Sequence, residues 1–133
     1  MTQQEQKPDL VEWLALTIDC PDPNLLADFY AAALGGTVTH RAPDLAFAQA
    51  AGLSLNFRAS PDHKPPTWPS PEIPLHSHFE LVVEDPDTAA QEMLRLGARK
   101  AAHQNPDNPH LVVMLDPAGH PFCLIRSSAA RRY

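Results

Sequence analysis

The segment His76-Ser77-His78-Phe79-Glu80 sets two imidazoles and a carboxylate at alternate positions. Alternate side chains of an extended strand share a face, and a carboxylate beside an imidazole moves its titration toward neutrality. Such a pair is able to shuttle a proton or hold a polar ligand. His78 and Glu80 are therefore the candidate catalytic pair, with His76 at the mouth of the same strand. Two further stretches alternate in the same way. From Trp13 to Cys20, the residues Leu14, Leu16, Ile18 and Cys20 point one way and Trp13, Ala15, Thr17 and Asp19 the other. Between Gly52 and Arg58, Leu53, Leu55 and Phe57 oppose Ser54, Asn56 and Arg58.

The faces turned away from the core would line a concave pocket with a few converging polar groups. Its ligand-binding candidates are Trp13, Thr17, Asp19, Asn56, Arg58, Trp68, His76, His78, Glu80 and Cys123. Arg58 either meets an anionic ligand or pairs with Asp19 or Glu80. The stretch Asp116-Pro117-Ala118-Gly119-His120 reads as a turn, with Asp116 as its cap and His120 near the pocket rim. His40, His63, His103 and His110 read as exposed.

These strands belong to a repeat. Residues 15–34 and 78–96 each read as a strand, an Asp-Pro turn and a helix ending at Leu-Gly, and Asp22-Pro23 matches Asp85-Pro86 at an offset of 63 residues. The Asp caps the helix and the Pro occupies its first position. Leu25, Leu26, Phe29 and Ala33 form the first helix's apolar stripe; Ala89, Ala90, Met93 and Leu94 form the second's. Strands at 37–41, 46–50 and 52–58, then 99–102, 111–115 and 122–126, complete two βαβββ modules. The expected fold is α+β, a curved mixed sheet around a cleft. The expected organisation is a tail at 1–10, one domain at 11–126 (module one 11–58, linker 59–75, module two 76–126) and a tail at 127–133. Pro61, Pro65, Pro66, Pro69, Pro71 and Pro74 stiffen the linker around Trp68, as a packed connector or a pocket lid.

At 133 residues the chain holds one core and no separate cofactor domain. A net charge of −6 disfavours nucleic acid or an anionic membrane as partner. No apolar run reaches membrane-spanning length and no signal segment opens the chain, which predicts a cytoplasmic protein. Cys20 and Cys123 fit neither a metal spacing nor a disulfide framework.

The paired modules, the DPxxxxxFYxxxLG start at 22–35, the HxE strand at 78–80 and the DPAGHPFCL ending at 116–124 together resemble the vicinal oxygen chelate superfamily. That superfamily includes glyoxalase I, bleomycin-resistance proteins and extradiol dioxygenases; the Pro65–Pro69 segment resembles its small glyoxalase-like branch. The resemblance implies four inward metal-ligand positions, which fall here on Ala15, Asn56, His78 and Cys123. With a methyl and an amide in that set, no cofactor is expected, and a divergent divalent-metal site is the alternative. The resemblance further implies a homodimer that binds a small organic molecule between its modules. An enzyme of lyase, isomerase or dioxygenase type, metal-free through His78 and Glu80 or using a divergent metal site, remains open.

Overall fold

Asp22 and Asp85 each open a helix in the computed structural model, which describes residues 10–130. Residues 1–9 and 131–133 of the expected tails lie outside the described residues. The Asp22 carboxylate accepts from the Leu25 amide at 3.2 Å, and that of Asp85 from the Asp87 amide at 3.1 Å. Each bond satisfies an amide that the first helical turn leaves without a partner. The helices, α1 (Pro23–Leu34) and α2 (Pro86–Leu96), both end at a left-handed glycine, Gly35 and Gly97.

Four strands accompany each helix. They are β1 (Ala15–Cys20), β2 (Thr37–Ala42), β3 (Leu45–Ala50) and β4 (Leu53–Ala59), then β5 (Phe79–Val83), β6 (Arg99–Lys100), β7 (Leu111–Leu115) and β8 (Pro121–Arg126). They form two mixed sheets, ordered β1-β4-β3-β2 and β5-β8-β7-β6. In each, the module's first and last strands pair in parallel and the other ladders are antiparallel. The fold is thus α+β with two βαβββ modules.

Two strand ends differ from expectation by two residues, the others by one at most. β1 begins at Ala15 because its register sets Ala15 against Ser54; Trp13 would face the turn before β4, where no ladder remains, and it is 71% exposed. β6 stops at Lys100 because the Gln104 side chain takes over the pairing, accepting from the Val113 amide and donating to its carbonyl.

One apolar cluster spans both modules and includes Leu26, Phe29, Tyr30, Leu55, Phe57, Met93, Met114, Phe122 and Leu124. Burying side chains of this size contributes about 1.5–3 kcal/mol each. Aromatic contacts cross between modules: Phe29 lies 6.0 Å from Phe122 and Tyr30 5.4 Å from Phe79, ring centre to ring centre. The stripe of α1 runs through Leu26, Ala27 and Tyr30, which rotates Leu25 to the flank, 53% exposed. On α2 the buried residues are Pro86, Ala90 and Met93; Leu94 lies one position further round and faces outward.

Candidate functional site

β1 and β5 end their sheets, so each has one edge without a strand partner. A cavity of about 480 Å³ lies along these edges. Four consecutive residues of β1, Leu16 to Asp19, line it together with Phe79 of β5, and a consecutive run can only present the strand's edge. The cavity is therefore at the seam between modules and takes core-side residues such as Ile18, whereas alternation alone puts it on the face opposite the helices. Tyr30 and Pro121 close one side, and His63, Lys64, Pro66, Ile73, Pro74 and His76 from the proline-rich segment close another.

Of the expected ligand contacts, Thr17, Asp19, His76 and His78 line this cavity. Trp13, Asn56, Arg58, Trp68, Glu80 and Cys123 lie outside its lining. Arg58 pairs with Asp19 at 2.8 Å. Trp68 packs edge-on against His103 at 5.2 Å, anchoring its segment to the second module. His78 and Glu80 approach to 3.6 Å, beyond hydrogen-bond length, and the Glu80 carboxylate is largely in water.

The tightest polar assembly at the seam centres on Asp116, which is wholly buried. One carboxylate oxygen accepts from the amides of Ala118 (2.8 Å) and His120 (3.0 Å). The other accepts from the Tyr30 hydroxyl (2.7 Å) and lies 2.8 Å from His120 Nδ1. His120 Nε2 lies 2.9 Å from the Asp19 carbonyl. Both ring nitrogens thus face acceptors, and both bonds form only when each nitrogen carries a proton. Burial opposes that charge, but the Asp116 hydrogen bond and charge outweigh it, with the Asp19 carbonyl adding to them, so the His120 pKa is raised above 6.5. Burial and the Asp116 charge raise the Tyr30 pKa well above 10, which keeps its hydroxyl a donor.

Sequence reading gave Asp116 its turn role but missed this assembly. The available signal was Tyr30, an aromatic with a polar tip inside a buried stripe, where the hydroxyl requires a partner. His63 also differs from expectation. It is half-buried, lies 3.2 Å from the Ala118 carbonyl through Nε2 and packs 5.0 Å from the His120 ring.

The sequence from residue 15 to 125 matches the family model described as glyoxalase-like domain. The chain belongs to the glyoxalase-like family. Solved structures with the same fold include a fosfomycin resistance protein from Listeria monocytogenes, 15% identical over 88% of this chain and 92% of that one, TM-score 0.64. A glyoxalase-related enzyme from Fulvimarina pelagi is 17% identical over 87% and 88%, TM-score 0.59. A bleomycin-binding protein from Streptomyces verticillus is 17% identical over 88% and 98%, TM-score 0.53. No curated protein matches the sequence significantly.

The glyoxalase-like resemblance implies a divalent metal on Ala15, Asn56, His78 and Cys123, and these residues do not fit one. Ala15 offers no donor atom, and an amide is a weak ligand. Burial, with the Glu80 charge, pushes the Cys123 thiol pKa above its ordinary value, so it is protonated at neutral pH. Among the described residues no three His, Cys, Asp or Glu side chains are grouped to hold a metal ion. Also among them, no helix is long and apolar enough to cross a membrane.

Proposed function

We propose that this glyoxalase-like protein binds a small organic molecule in the seam cavity, without a catalytic metal. The observation that carries the reading is the cavity itself. At about 480 Å³ it falls within the range of small-molecule sites, and it sets apolar walls from Leu16, Ile18, Phe79 and Ile73 against a few polar groups. Thr17, Asp19, His76 and His78 supply expected polar contacts, to which the structure adds His63 and His120. The bleomycin-binding neighbour, solved with copper(II)-bleomycin, lends support as a binding protein on the same fold. Binding is favoured over acid–base catalysis by His78 and Glu80 because those side chains are not hydrogen-bonded and Glu80 lies outside the cavity.

We propose further that the protein works in the cytoplasm as a homodimer, in which a second copy covers exposed apolar residues such as Trp13, Leu14 and Val82. Light scattering at micromolar concentration showing only monomer would remove that part. Native mass spectrometry of the purified protein, followed by identification of whatever copurifies, tests the main reading. A bound organic molecule is expected, with His78→Ala weakening it by about 1–3 kcal/mol through the loss of a buried hydrogen bond. A ligand whose affinity ignores both His78 and Thr17 would place the site elsewhere.

A further inference from the structure

Four of the chain's seven histidines, His63, His76, His78 and His120, line the seam cavity, and Lys64 joins them. This concentration of nitrogen donors runs against the chain's net charge of −6. The two carboxylates on the cavity wall are already matched, Asp19 by Arg58 and Asp116 by His120. Lys64 has no ion-pair partner among the described residues. Its backbone is held next to Pro65, whose ring packs against Gly119; a Cβ at Gly119 would lie 2.8 Å from Pro65 Cβ. The ammonium is therefore carried on a stiff segment tied to the second module, which reduces the ordering cost of binding.

We infer that the cavity's ligand is an organic acid, with its carboxylate or phosphoryl group against Lys64 and the His63, His76 and His78 imidazoles and its apolar body against Leu16, Ile18 and Phe79. An anion leaving water needs a countercharge or several donors. An unpaired ammonium gives the first, and imidazole N–H groups, present even in the neutral ring, give the second. A neutral ligand would gain nothing from the charge of the ammonium. The inference rests on the seam cavity being the ligand site.

Nuclear magnetic resonance titration of the full chain with benzoate, phenylphosphonate and the uncharged benzamide tests it. The two acids are expected to shift resonances of Thr17, His76 and His78 and to bind at least about tenfold more tightly than benzamide. High salt, on the order of 0.5 M, should shrink that preference by screening. Lys64→Gln, at an exposed position and checked by its melting midpoint, is expected to weaken the acids about three- to tenfold while leaving benzamide unchanged. Benzamide binding in the cavity as tightly as the acids would overturn the anion assignment, and an acid preference untouched by Lys64→Gln would overturn Lys64 as the countercharge; either leaves the cavity reading standing. Shifts confined to residues away from the cavity, or none with any probe, would overturn both.

Discussion

Tyr30 and Asp116 are 86 residues apart in sequence, yet the Tyr30 hydroxyl donates to the Asp116 carboxylate at 2.7 Å with both side chains buried. The bond joins α1 of one module to the turn before β8 of the other, so the seam is fixed by a polar contact within an apolar interface. Asp116→Ala would strand the Tyr30 hydroxyl, Nδ1 of the His120 ring and two amides. A loss of about 3–5 kcal/mol is expected in urea unfolding, because several buried donors lose their acceptor together. Tyr30→Phe removes one donor of four and should cost about 1–2 kcal/mol. Equal losses in the two variants would contradict this hierarchy.

His120 makes the seam sensitive to pH. Its folded-state pKa lies above the unfolded value of 6.5, so its contribution is fully present below about pH 6.5 and is lost as pH rises through the raised folded value. The facing groups are Asp116, the Asp19 carbonyl, the Tyr30 hydroxyl and the His63 ring. The melting midpoint of the wild type should exceed that of His120→Gln most at pH 6 and least at pH 9. A gap that widens with rising pH would reverse the assigned sign.

Trp68 separates a packed wall from a moving lid. Its contact is with His103 and not with the cavity. Trp68→Ala is expected to lower stability by about 2 kcal/mol, less than a fully buried aromatic because the ring is partly exposed, while leaving affinity for a cavity ligand within about twofold. A variant that keeps its midpoint but loses affinity would make this segment a lid.

Metal removal should have no effect. Ala15 and Asn56 stand at two of the four ligand positions that the resemblance implies, and neither side chain suits a divalent metal, so chelator-treated protein is expected to keep its thermal midpoint and its ligand affinity. Calorimetry before and after treatment, with elemental analysis of the untreated protein, checks this; a stoichiometric metal on His78 would overturn it.

The modules were legible because their signals are local. An Asp-Pro cap, an apolar stripe and a terminal glycine lie within 14 residues in Asp22–Gly35, and each follows from backbone chemistry. Alternation placed Ile18 and Cys20 of the first strand toward the core, but Leu14 and Leu16 of the same expected face are exposed, because Leu14 precedes the ladder and Leu16 lies at the seam cavity. The seam was not, since Tyr30, Asp116 and His120 meet only once two modules dock, and no periodicity encodes that distance. The same limit misplaced the pocket: alternation reports which face a residue takes, not which strand edge lacks a partner. His78 and Thr17 reach the cavity all the same because they sit on or beside an edge strand.

The parallel pairing of each module's first strand with its last also bears on synthesis. During translation β1 emerges with no available partner until β4 follows some 40 residues later, and the Asp19 carbonyl waits for His120 near the far end of the chain. The nascent protein therefore carries an unpaired strand until residue 59 has been made, and an uncovered seam until His120 follows. Chaperone demand and aggregation should be governed by that interval, and slow codons after residue 59 would give the first sheet time to close.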